Sequence, residues 1–176
     1  LAMNKYESLL AAREAGQVER CHVVPHSKAY TVGRHTYGVA IIISTLCPDP
    51  TVELLKAALY HDCAERFTGD VPATAKWQWP GLKEALDNAE RKINRHFGWD
   101  TDLTATEANW LRAADLLELY LWSRDEMRSG NMDAKPVGDK VYEVLMDSDD
   151  TPKDVRRFLA TDPVHRLGDL YEGANR

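Results

Sequence analysis

The segment His61-Asp62-Cys63-Ala64-Glu65-Arg66-Phe67-Thr68-Gly69-Asp70-Val71-Pro72 combines charge and apolarity in a way an ordinary amphipathic helix does not. It follows a run in which Val52, Leu55, Leu59 and Cys63 share one helical stripe. Asp49-Pro50 reads as an N-cap with proline at the first helical position, so a helix is expected over about 50–67, ended by Thr68-Gly69-Asp70-Val71-Pro72. His61 and Asp62 then fall three turns into an apolar helix. A charged Asp there is costly unless something pairs with it. A divalent cation is a good partner for an adjacent His and Asp, which offer one nitrogen and one oxygen donor. Glu65 lies four residues after His61 and three after Asp62, so it shares their face. That places a further acid beside such an ion without requiring it as a ligand.

The punctuation around this segment is helical. A helix over about 4–15 is stopped by Gly16, and Pro80 opens one over 80–97 that Gly98 closes. Thr104-Ala105-Thr106-Glu107 fits a capping box and starts a long helix to about 129, stopped by Gly130. Further helices fit 137–147 and, after Thr151-Pro152-Lys153-Asp154, a stretch to about 160. Residues 17–34 read as irregular. Residues 35–47 are apolar and ambiguous between helix and strand; the β-branched Val39, Ile41, Ile42 and Ile43 favour a strand by propensity. The last fifteen residues are polar and stay unassigned. The expected fold class is all-α, with the helices in a single domain over 1–176.

At 176 residues the chain has the length of one domain. Its 44% hydrophobic and 28% charged residues exclude a disordered or collagen-like protein. The net charge is −6, whereas a duplex-binding module is normally basic. No nucleic acid polymer is expected as a partner, while a small anion in a locally basic pocket stays compatible. Cys21, Cys47 and Cys63 are odd in number and form no Cys-x-x-Cys pair. That argues against a disulfide framework and a thiolate zinc site, and for a reducing cytoplasm. The longest strongly apolar run, residues 39–43, is far short of the ~20 residues of a membrane helix. The first residues lack the charged-then-apolar order of a signal peptide, and Leu1-Ala2 read as additions before a native Met3.

Two further residues join the argument. His35 precedes the most apolar segment, where a solvated histidine makes little sense. Asp115 is flanked by alanines and leucines in Leu111-Arg112-Ala113-Ala114-Asp115-Leu116-Leu117-Glu118-Leu119, and needs a cation or a firm hydrogen-bond partner. Singly, each has an ordinary structural explanation: a satisfied core histidine, an internally bonded aspartate, a surface His-Asp pair. Together, His35, His61, Asp62 and Asp115 on three helices make a mixed nitrogen and oxygen metal site. Arg112, three residues before Asp115, is expected on its face and aimed at a metal-bound anion.

The order His, then His-Asp, then a distant Asp resembles the HD-domain metal-dependent phosphohydrolases. The longer pattern His-Asp-x-x-Glu-x-x-Thr-Gly-Asp-x-Pro over 61–72 is similar to the YfbR-like 5′-deoxynucleotidase branch and its small phage relatives. Glu19-Arg20-Cys21-His22-Val23-Val24-Pro25 and Tyr30-Thr31-Val32-Gly33-Arg34-His35 look like the upstream arginine segment of that branch. The resemblance covers about residues 16–128.

The resemblance implies an HD-domain helical bundle and a homo-oligomeric nucleotide phosphohydrolase. It matches His35, His61, Asp62 and Asp115 to the ligands of one divalent transition metal ion. Imidazole donors fit zinc, manganese, cobalt or iron better than magnesium. It gives Glu65 the acid beside the attacking water and Asp70 a second acid near the scissile ester and sugar. Arg20, Lys76 and Arg112 fall where relatives bind phosphate, and the position of Val23 lies against the base in some phage relatives. Cys21 stands where the family has an aromatic that packs on the sugar or base. Thr36 replaces serine, and Arg34 replaces an acid. Four basic groups, Arg20, Arg34, Lys76 and Arg112, tilt the expectation toward triphosphate release from a deoxynucleoside triphosphate, dATP among them. Phosphate release from deoxynucleoside monophosphates is the alternative. A guanosine alarmone hydrolase and a non-catalytic nucleotide- or metal-binding regulator are the remaining rivals, and retention of Glu65 and Asp70 argues against the latter.

Overall fold

The computed structural model describes residues 4–161; the polar last fifteen residues and Leu1-Ala2 lie outside them. Nine α-helices follow in chain order: α1 Lys5–Ala15, α2 Val32–Leu46, α3 Val52–Tyr60, α4 Glu65–Thr68, α5 Ala73–Gln78, α6 Pro80–Phe97, α7 Ala105–Arg128, α8 Lys135–Asp147 and α9 Lys153–Thr161. Among the described residues no β-strand forms; one isolated bridge joins Glu19 to Thr31. The all-α expectation therefore holds. No helix of the described residues is long and apolar enough to cross a membrane.

The ambiguous apolar segment, whose β-branched residues favour a strand by propensity, is the helix α2. Val39, Ile42 and Ile43 are at most 8% exposed, whereas Ile41 is 47% exposed. The buried positions recur at three and four residues, which is the helical period. The helix propensity cost of a β-branched residue is at most about 0.7 kcal/mol. Full burial of such a side chain is worth about 1.5–3 kcal/mol, so packing decides. That stripe meets Leu54 and Ala58 of α3 and Ala113, Ala114 and Leu117 of the central α7, with Leu145 of α8 and Leu159 of α9 closing the core.

The helix expected over 50–67 is divided. Its N-cap is Thr51, whose hydroxyl accepts from the Leu54 amide, rather than Asp49. After Tyr60 the chain tightens: the amides of Cys63, Glu65, Arg66 and Phe67 each bond a carbonyl three residues back. His61 and Asp62 therefore sit at the end of α3, in a tightened turn, and not in the interior of a longer helix. The turn brings the two side chains together on one side, which a regular helix would hold about 100° apart. Helix α5 was not foreseen; the capping box that starts α7 and the left-handed Gly98 that ends α6 were.

The irregular segment before α2 is tied down by backbone. The Arg20 amide bonds Tyr30 O at 2.7 Å, and the Val32 amide bonds Val18 O at 2.8 Å. Gly16 and Gly33 approach closely; a Cβ on Gly33 would lie 3.0 Å from Gly16 O. The result is a fixed loop that carries Arg20 over the end of α3.

Candidate metal centre and active site

Three ligand atoms converge at the ends of α2 and α3. His35 Nε2, His61 Nε2 and Asp62 Oδ2 are separated by 3.2 Å, 3.5 Å and 3.4 Å. Asp115 of α7 approaches this set from the side of His35, its Oδ1 3.1 Å from His35 Nε2. His35 is fully buried, His61 and Asp62 partly so, and the Asp115 side chain is 37% exposed.

The rings are held in a defined sense. His35 Nδ1 bonds Glu118 Oε2 at 2.5 Å, and His61 Nδ1 bonds the Ala58 carbonyl at 3.0 Å. Each outer nitrogen is thus the donor, which leaves two Nε2 lone pairs facing one another beside a carboxylate. Such a set repels itself unless a proton or a cation sits within it. Ligand bonds of about 2.0–2.1 Å set tetrahedral edges of about 3.3–3.4 Å, close to the separations found. The donor set therefore fits a divalent transition metal ion.

Arg20 ion-pairs with Asp62 and lies 3.9 Å from Glu65 Oε1 and 4.0 Å from Asp115 Oδ1. Its guanidinium stands over the Tyr30 ring. Loss of hydration opposes charge throughout the cluster. Even so, the charges of His61, Arg20 and His35 hold the Asp62 carboxyl below its ordinary range. Asp115 is likewise held well below its usual range, by the bond to His35 above all. Glu65 behaves oppositely: burial, then the charge of Asp62, pushes its carboxyl up to about 8. Its Oε2 is buried without a hydrogen-bond partner.

Asp70 follows Gly69, which has φ +71°, and accepts the Cys21 amide at 2.8 Å. Cys21 itself adopts φ +53°, a left-handed conformation uncommon for a non-glycine residue. The Asp70 bond thus ties the Arg20 loop to the turn after α4. Lys76 of α5 is near enough to Glu65 and Glu90 for its charge to act on both. Val23 is 62% exposed on the Arg20 loop.

Two basic groups are not part of this assembly. Arg112 is exposed and lines a cleft with Asn109, Leu116, Val144 and Ser148, between α7 and α8. Three residues along a helix leave a 60° offset, enough here to send Asp115 toward α2 and Arg112 toward α8. Arg112, expected on the face of Asp115, thus lines the α7–α8 cleft. Arg34 is exposed, donates to Ala29 O, and lines a separate cavity with Lys28, Trp122 and Arg128. In the other direction, Glu118 was missed. Its signal was available: like Asp115, it is an acid set among leucines, three residues further along the same helix.

The fold is that of HD-domain phosphohydrolases. The Cyanophage S-2L HD phosphohydrolase DatZ, bound to dA and one catalytic Zn²⁺ ion, superposes with a TM-score of 0.68 at 21% identity, covering 90% of this chain and 94% of that one. An HD-domain phosphohydrolase of Listeria innocua, lin2634, gives 0.69 at 21% identity over 93% and 89% of the two chains. The PH0347 protein of Pyrococcus horikoshii OT3 gives 0.67 at 21% over 92% and 99%. The family model "5′-deoxynucleotidase YfbR-like" matches residues 11–98, and the chain belongs to that family. The 5′-deoxynucleotidase PM0747 of Pasteurella multocida is 28% identical over 93 residues, 44% of this chain and 48% of the relative. The match thus spans about half the length of that curated relative.

Proposed function

We propose that this protein is a metal-dependent phosphohydrolase that cleaves the 5′ phosphoester of deoxynucleotides. The observation that carries the reading is the convergence of His35 Nε2, His61 Nε2 and Asp62 Oδ2, with Glu65 and Arg20 beside them. His35, His61, Asp62 and Asp115 would hold one divalent transition metal ion. Such an ion lowers the pKa of water and polarises a phosphoryl oxygen.

The chain's own groups account for the rest. Water attacks phosphorus and gives a proton to Glu65 through its unpaired, buried Oε2, while the bond to the 5′ oxygen breaks and that oxygen takes up a proton from solvent or by way of Asp70. A carboxyl lifted toward neutrality suits that work. Arg20 exchanges part of its carboxylate pairing for the phosphoryl oxygens. Asp70 faces the leaving oxygen or the sugar and keeps Arg20's loop in place.

With Arg34 and Arg112 directed elsewhere, Arg20 and Lys76 are the basic groups left at the site. Two cations match a monophosphate, so the placement favours phosphate release from deoxynucleoside monophosphates over triphosphate release from dNTPs. The reading includes a cytoplasmic homo-oligomer made of this single domain. It is supported by three free cysteines and by the exposed Leu9 and Leu10 of α1 and Tyr37 and Ile41 of α2.

The test strips the protein with a chelator, reloads it with manganese, cobalt or zinc, and assays dNMPs, dNTPs and guanosine alarmones. Deoxynucleoside release that returns only with metal is expected. Nucleotide binding without turnover would support the regulator instead. Turnover confined to alarmones would move the substrate class.

A further inference from the structure

We infer that Glu118 is a positioning residue for His35, locked by Tyr30 and made room for by Gly38. The inference rests on the metal-centre reading and adds to it a supporting unit on α7, α2 and the loop before α2.

A neutral imidazole has one donor and one acceptor nitrogen. Glu118 Oε2, 2.5 Å from His35 Nδ1, commits the proton to the outer nitrogen and leaves the Nε2 lone pair for the cluster. A carboxylate behind a ligating imidazole also makes it a stronger donor. The partner of His61 is different in kind, the uncharged Ala58 carbonyl. Loss of Glu118 therefore weakens one ligand of the pair and not the other.

The same Glu118 oxygen accepts the Tyr30 hydroxyl, so the carboxylate is held from two sides. Tyr30 is fully buried and stacks on Trp122 with ring centroids 5.0 Å apart.

Space is the third element. A Cβ at position 38 would lie 2.6 Å from Glu118 Cγ and 3.0 Å from its Oε1. Glycine here, three residues after His35 on the same helix, is what lets α7 bring the carboxylate within reach of the ring.

Glu118→Leu, Glu118→Gln and Gly38→Ala separate this role from simple packing. Affinity for Co²⁺ and Zn²⁺ is measured by competition with a chromophoric chelator, together with the visible spectrum of the Co²⁺ form. Circular dichroism reads folding. Glu118→Leu is expected to weaken metal binding by about 10–100-fold and to alter the Co²⁺ bands. Glu118→Gln, which keeps an acceptor but not the charge, is expected to fall between it and the parent. Gly38→Ala is expected to weaken binding in the same direction with the carboxylate still present. Should Glu118→Leu fail to fold, the volume-conserving Glu118→Gln decides. Parental affinity and Co²⁺ spectrum in Glu118→Gln and Gly38→Ala overturn the inference. Absence of Co²⁺ binding by the parent overturns the metal-centre reading, and this inference with it.

Discussion

Removing Arg20 is expected to expose how much of the cluster's negative charge it carries. The side chain is 11% exposed and faces Asp62 at 19%, Glu65 at 7% and Asp115 at 37%. Arg20→Ala leaves three carboxylates without their guanidinium. Breaking a buried ion pair costs about 3–5 kcal/mol, and the partial exposure of Asp62 and Asp115 points to the lower end, about 3 kcal/mol. For a chain of this size each kcal/mol moves Tm by about 2–4 °C, so the metal-free variant should melt about 6–12 °C below the parent. Saturating Mn²⁺ or Zn²⁺ should shrink that gap to less than half, because the ion neutralises the same acids. Scanning calorimetry of both proteins, with chelator and with metal, provides the four values. An equal gap under both conditions, or none with chelator, would refute the idea that Arg20 and the ion balance one set of charges.

Asp62→Asn should lose metal binding and turnover while keeping its helical circular dichroism, read by metal analysis of the purified variant. Glu65→Ala should keep the metal and lose at least about a hundredfold in kcat, and joint loss of metal would make it a ligand instead. Lys76→Ala should lower kcat/KM by about ten- to a hundredfold through loss of a charge-assisted phosphate contact, whereas Arg112→Ala should leave it unchanged in the same phosphate-release assay. Burial opposes charge on His35, yet the bonds to Asp115 and Glu118 raise it from 6.5 to about 9, and Glu65 rises from 4.5 to about 8. Both folded values lie above the unfolded ones, so their proton-linked stability is lost as pH rises, for Glu65 from 4.5 through 8 and for His35 from 6.5 through 9. The metal-free Tm should therefore fall between pH 6.5 and 9. Metal binding at pH 7 should release protons, measurable by calorimetry in buffers of different ionisation enthalpy.

The helical class and most helix ends were legible because their signals are local: the Thr104 capping box, Pro80, and Gly98 at a left-handed cap. The residues that meet at the centre were legible for a different reason. His35, His61-Asp62 and Asp115 are polar groups in apolar surroundings, which is why they could be grouped before the fold brought them near one another. What stayed hidden depends on tertiary packing. The β-branched stripe of α2 stays ambiguous between strand and helix until α3 and α7 supply the surfaces that bury it. The tightened turn at 61–64 interrupts an apolar pattern that, by itself, continues. Arg112 and Asp115 are neighbours on one helix, yet α8 and α2 claim different sides of it. Glu118 carried the same signal as Asp115, but its role depends on Gly38 and Tyr30, which only the fold brings to it.

Diffraction from crystals grown with zinc and a deoxynucleoside, recorded at the zinc absorption edge, tests the metal centre most directly. An anomalous peak is expected about 2.0–2.2 Å from His35 Nε2, His61 Nε2 and Asp62 Oδ2, with the 5′ hydroxyl of the nucleoside directed toward it and Arg20 alongside. A cluster without anomalous density, or zinc bound only elsewhere on the surface, would contradict the assignment of these residues as the centre of a deoxynucleotide phosphohydrolase.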